Sequence, residues 1–168
     1  MVLWKFSLTI VATTLFAVSV FPQSPSCDET LWKHVYNPSR LVVQEKCVTV
    51  TGTIVDVTAT EKQHQKDGVR HEPDGDTHGW LKLDPGQEKF VNDVNKRDEQ
   101  GNLIFEIVCK YPIQQKEQAA KAACRGFKNA VKLPPVGSHV AITGTWVSDQ
   151  DHGGWLEIHP VTSIVVKK

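Results

Sequence analysis

Hydrophobic and polar positions change period several times along this chain. Residues 77–84 alternate strictly, with Gly79, Leu81 and Leu83 on one face and His78, Trp80, Lys82 and Asp84 on the other, which predicts a half-buried strand. Residues 48–58 are dense in Val, Ile and Thr, and 103–111, 140–147 and 155–166 follow the same habit, so four further strands are expected. Pro160 should stand at a bend or an edge of the last one, because it cannot donate to a ladder. Pro85-Gly86 ends the second strand, and Phe90, Val91 and Val94 suggest a helical turn. Residues 114–124 are rich in Gln, Glu, Lys and Ala without a β-branched residue, which predicts a helix, with Gly126 just past its end. Upstream, Leu31, Trp32, Val35 and Tyr36 sit at helical spacing behind Asp28 as N-cap, and Asn37-Pro38-Ser39 stops that short helix.

Five strands with one helix between the third and fourth is the order of an OB-fold. The expected class is therefore all-β with one or two short helices, a five-stranded OB-fold Greek-key barrel over residues 47–168 with an N-terminal arm over 23–46. Two glycines strengthen this, in the matching contexts Val50-Thr51-Gly52-Thr53 and Ile142-Thr143-Gly144-Thr145. A central glycine lets a long strand coil sharply enough to serve both sides of a small barrel. The entry Pro135-Val136-Gly137-Ser138-His139-Val140 looks like the fourth-strand entry of many OB-folds. In architecture the chain resembles small exported OB-fold proteins of uncharacterised function from microbes, which implies a binding module.

Residues 1–22 read as a signal peptide. Lys5 gives a positive start, residues 6–20 are apolar and uncharged, and Ala17-Val18-Ser19 offers the small residues a signal peptidase needs. The run is short for a spanning helix. The expected address is secreted or periplasmic, with no stable membrane insertion after cleavage. Four cysteines, Cys27, Cys47, Cys109 and Cys124, then suggest two disulfides. Cys27–Cys47 with Cys109–Cys124 is favoured, because each closes a local loop. No two cysteines have the C-x-x-C spacing of a zinc site.

The 168 residues carry 19 Lys plus Arg against 19 Asp plus Glu, which argues against a strongly basic nucleic-acid packing protein. Charge is uneven, however. The first loop and second strand hold His64, Lys66, Arg70, His71, Asp74, Asp76 and His78, and the last loop and fifth strand hold Asp149, Asp151, His152, Trp155, Glu157 and His159. OB-folds commonly bind between those regions. Alternation places Trp155, Glu157 and His159 together, with Leu156 and Ile158 behind them in the core. Glu106 stands in an otherwise apolar third strand and is expected on its exposed face, or paired with Lys82.

The candidate ligand-binding residues are therefore His78, Trp80, Lys82, Glu106, His152, Trp155, Glu157 and His159. Trp80 and Trp155 would act as flat platforms for an oligosaccharide or single-stranded nucleic acid. The same faces would serve a protein partner, and tryptophan is also a frequent cover for a small barrel. A runner-up is a metal-dependent, phosphodiesterase-like hydrolase with zinc on His78, His152 and His159 and Glu157 or Glu106 as base. No H-E-x-x-H, EF-hand, G-x-S-x-G or phosphate-loop signature is present, so no catalytic residue is assigned and no cofactor is required. His34 and His139, near apolar neighbours, are expected to be structural.

Overall fold

The computed structural model describes residues 25–58 and 65–168. Its strands are β1 (Leu41–Val55), β2 (Arg70–His71), β3 (Thr77–Leu83), β4 (Leu103–Phe105), β5 (His139–Asp149) and β6 (Trp155–Val166). Short helices α1 (Asp93–Asp98) and α2 (Gln118–Ala123) lie in the connections. Around the barrel, β1 pairs with β5, β5 with β6, β6 with β4, β4 with β3, and β3 returns to β1. Among the described strands, only β4 and β6 run parallel. This is the closed OB-fold order, with the two-residue β2 added outside it on β3.

Closure depends on where the long strands can change partner. Gly52 pairs with Leu83 on one side and Val140 on the other. A Cβ there would lie 2.3 Å from the Lys82 carbonyl oxygen. At Gly144 a Cβ would meet both Ile158 Cγ2 and the Pro160 oxygen at 2.5 Å. The β5–β6 register slips on either side of Gly144, and Pro160 sits in that bulge, preceded by a cis peptide bond. Inside, Val50, Ile54, Leu81, Leu103, Phe105, Ile107, Ile142 and Ile158 form a fully buried core. Each such side chain contributes about 1.5–3 kcal/mol of burial.

Two strand boundaries differ from expectation. β1 begins at Leu41, inside the segment read as arm, because Leu41, Val42 and Val43 find partners in Asp149, Ser148 and Val147. The third strand ends at Phe105 instead of running to residue 111. Beyond it, side chains take the backbone donors: Ile107 N–H donates to Thr77 Oγ1 (2.7 Å) and Cys109 N–H to Asp76 Oδ1 (2.7 Å). Cys109 itself adopts a left-handed φ of 53°, which no ladder continues through.

The arm folds back as expected. Asp28 caps a 3₁₀ turn (Glu29–His34) by accepting from Thr30 N–H at 2.9 Å. Leu31 and Val35 pack on Val108 and Val147. Trp32 Nε1 donates to Thr145 Oγ1 (3.3 Å), and His34 stacks on Phe127 with its Nδ1 2.7 Å from the Ala123 oxygen. His139 pairs with Asp84 at 2.9 Å. Cys27–Cys47 ties the arm to β1, and Cys109–Cys124 ties the chain after β4 to the end of α2. The signal peptide read in residues 1–22 lies outside the described residues. Among those described, no helix is long and apolar enough to cross a membrane.

Gly144→Ala should destabilise the barrel by at least the 1–3 kcal/mol typical of overpacking, measured as a lower urea midpoint with an unchanged slope. Reduction of the two bridges should lower the melting temperature, each being worth about 2–4 kcal/mol. A wild-type midpoint for the alanine variant would show that β5 and β6 do not approach as described.

Candidate functional site

Strand alternation sorts the β3–β4–β6 wall into two faces. Leu81, Leu103, Phe105, Ile107 and Ile158 enter the core, while His78, Trp80, Glu106, Glu157 and His159 stand on the other face. The outer face of a barrel ordinarily meets water. Here it is roofed, and Glu157 and His159 have no exposed surface. The roof is built from three pieces. The arm brings Arg40, from a 3₁₀ turn (Pro38–Arg40), across Glu106 and Asp149. The β5–β6 loop is clipped to it, with Gln150 N–H donating to the Arg40 oxygen at 2.9 Å. Helix α1 closes the third side. Its Asn92–Asn95 capping box sets its start, and buried Asn95 both donates to the Leu156 oxygen and accepts from its N–H, each at 2.9 Å.

Polar groups without water must satisfy one another. His159 Nδ1 lies 2.9 Å from Glu106 Oε2 and 3.0 Å from Glu157 Oε1. The second Glu157 oxygen accepts from Trp155 Nε1 at 2.8 Å. His78 sits between two carboxylates, 3.6 Å from Glu106 Oε1 and 3.6 Å from Glu99 Oε2. Glu99 also accepts from Trp80 Nε1 at 2.6 Å. Arg40 Nε reaches Asp149 Oδ2 at 3.2 Å.

These contacts divide the charge. Burial opposes ionisation of Glu106, but the His159 and His78 cations outweigh it and hold its carboxyl well below the usual range. Burial likewise opposes the charge on His78, and its contacts with Glu106 and Glu99 carry it up to about 9. His159 is raised well above an ordinary imidazole against its burial, by Glu106 and then Glu157. Asp76 and Glu157 move the other way. Burial, with Asp74 beside the first and Glu106 beside the second, pushes both carboxyls up toward the neutral form. Glu106 thus faces three cations, Arg40, His78 and His159, with Asp149 sharing the first and Glu99 the second.

Above this layer opens a cavity of about 600 Å³. Tyr36, Asn37 and Arg40 form its arm side, Arg70, Glu72 and Asp74 its β1–β3 side, and Asp151, His152 and Trp155 its β5–β6 side, with His78 and Glu106 at the base. Arg40 Nη1 is buried without a hydrogen-bond partner. His152 accompanies Trp155 in a parallel stack, ring centroids 4.3 Å apart, and its Nδ1 lies 3.0 Å from Asp149. Burial raises the carboxyls of Glu72 and Asp74.

Of the residues read from sequence, His78, Glu106, His152 and Trp155 line this cavity, and Glu157 and His159 lie buried in the same network. Trp80 has no exposed surface and is part of the packing with Ile104 and Trp155. Lys82 is exposed, and it lines clefts other than this cavity. Glu106, expected on an exposed face or beside Lys82, is instead 5% exposed and held by His159 and Arg40, because the arm covers that side of the strand. Among the described residues, Asp76, Glu106 and His159 bring potential ligand atoms within 4.8 Å of one another. His78 and His152 stand outside that group. His64 falls outside the described residues. Arg40 and Glu99 are not legible in the sequence: Arg40 is a single charge in a polar turn, and Glu99 ends the charged run Lys96-Arg97-Asp98-Glu99, which reads as a solvated helix end. A D-x-H and an E-x-H, Asp76-Thr77-His78 and Glu157-Ile158-His159, are the pattern that marks the site.

Comparison with protein-family models, with curated proteins and with solved structures finds no match for this chain.

Glu106→Gln should cost about 3–5 kcal/mol, because it leaves buried cations without their counter-charge. Glu157→Gln should cost clearly less, since burial and the neighbouring Glu106 charge raise its carboxyl while the Glu106 carboxyl is held low. Urea denaturation of the two variants checks this, and equal losses would contradict the division of charge between the two carboxyls.

Proposed function

We propose that this protein is an extracytoplasmic ligand-binding module whose cavity takes a small acidic saccharide unit. The observation that carries the reading is Arg40, which lines the cavity and is fixed by Asp149, yet keeps Nη1 buried and unpartnered. A buried guanidinium donor without an acceptor suits a ligand carboxylate or phosphate, for which arginine's planar fork is adapted. Asn37, Glu72, Asp74 and Asp151 around it supply acceptors and donors for hydroxyls, and the His152–Trp155 stack gives a flat flank. The volume lies in the range of small-molecule sites. Its position between the β1–β3 and β5–β6 connections is the one OB-folds commonly use. The acids at the rim disfavour a run of phosphates, so single-stranded nucleic acid fits less well. The leader read in residues 1–22 and the two disulfides support the extracytoplasmic address.

Isothermal titration against uronic-acid oligosaccharides, neutral oligosaccharides and oligothymidylate at two salt concentrations tests the assignment. The acidic saccharide should bind, and Arg40→Lys, which keeps the charge but loses the fork, should weaken binding at least tenfold without unfolding the barrel. Trp155→Ala should weaken it too. Preferential, steeply salt-dependent binding of oligothymidylate, or no saccharide binding at all, would sink the reading.

A further inference from the structure

We propose that Asp76, Glu106 and His159 bind one divalent cation of the zinc class beneath the floor of the cavity. The three residues come from separate segments: Asp76 precedes β3, Glu106 follows β4, and His159 lies in β6. One donor atom from each lies within 4.8 Å of the other two. Two of their atoms, Asp76 Oδ2 and His159 Nε2, are buried without any hydrogen-bond partner. Buried polar atoms in folded proteins are rarely left so, and two orphans facing one another call for a shared occupant. They are 3.7 Å apart. That is too long for a hydrogen bond, but donors about 2.1 Å from one zinc ion at a 120° angle stand about 3.6 Å apart.

The rest of each ligand is already held. Asp76 Oδ1 accepts from Cys109 N–H at 2.7 Å, which leaves Oδ2 to point at the gap. His159 Nδ1 is engaged by Glu157 Oε1 at 3.0 Å, the carboxylate–imidazole support that fixes a ligating histidine with its other nitrogen toward the metal. One imidazole nitrogen with two carboxylates suits zinc, manganese or ferrous iron, whereas calcium and magnesium prefer oxygen alone. Glu106 also lines the cavity, so an ion has a way in from that side. A second grouping, Asp76 with Cys109 and Cys124, offers no thiolate, because those cysteines are joined to each other.

The site is independent of what fills the cavity, and saccharide binding is neither required by it nor refuted with it. The test begins with the mature protein stripped by a chelator, given zinc chloride, desalted and measured by elemental mass spectrometry. One zinc per chain is expected, with cobalt giving the visible absorption of a low-coordinate site. Asp76→Asn, nearly isosteric, should lower zinc affinity at least tenfold, while His139→Ala, on the far pair with Asp84, should not change it. If Asp76→Asn fails to fold, the imidazole nitrogen resonances of the wild-type protein decide the matter. Zinc should shift His159 Nε2 selectively. Zinc that stays substoichiometric after desalting, wild-type affinity in Asp76→Asn, or shifts confined to other histidines would overturn the proposal.

Discussion

Glu106 is a carboxylate held out of water between His159, His78 and Arg40, and most of what is unusual in this molecule follows from that placement. A charge with 5% exposure is tolerable only if its partners are in position. His78 and His159 come from the two strands that flank the Glu106 segment, so the barrel itself supplies them. Arg40 comes from the arm, so the arm has to be fixed as well. The disulfide at Cys47, the Leu31 and Val35 contacts and the clip between Arg40 and Gln150 all serve to fix it.

The same layer explains how a small barrel supports a polar cavity. An apolar core on the inner face supplies stability through burial. The outer face, given a roof, becomes a second interior in which ionisable groups set one another's charge. Residues from strands position the base of the cavity rigidly, while the arm and the two connections shape its walls. Affinity depends on such preorganisation, because side chains already locked cost little to order on binding. Asp76 Oδ2 and His159 Nε2, the pair assigned to an ion, lie with Arg40 Nη1 and His78 Nε2 among the buried polar atoms that the protein's own groups leave without a hydrogen bond.

The legible parts of this fold were those with local causes. Alternation at 77–84 sorted His78 and Trp80 from Leu81 correctly, and alternation at 155–159 sorted Glu157 and His159 from Ile158. Local loop closure gave both disulfides. Gly52 and Gly144 marked the strand crossings because nothing larger fits against the neighbouring backbone. The misjudged parts had distant causes. Glu106 looked exposed because alternation tells which side of a strand a residue takes, and not what covers that side. The end of β4 was missed because Thr77 and Asp76, from another strand, take its backbone donors.

The sequence by itself therefore determined the barrel, its order and the side on which each strand residue stands, since these follow from period, glycine placement and short-range closure. Only the tertiary structure decided that the polar side is an interior. Covering it takes Arg40 from the arm, Glu99 from beyond α1 and the β5–β6 loop together. Burial, charge state and the cavity are properties of that assembly, because desolvation and Coulomb interactions depend on distances in space and not on separation along the chain.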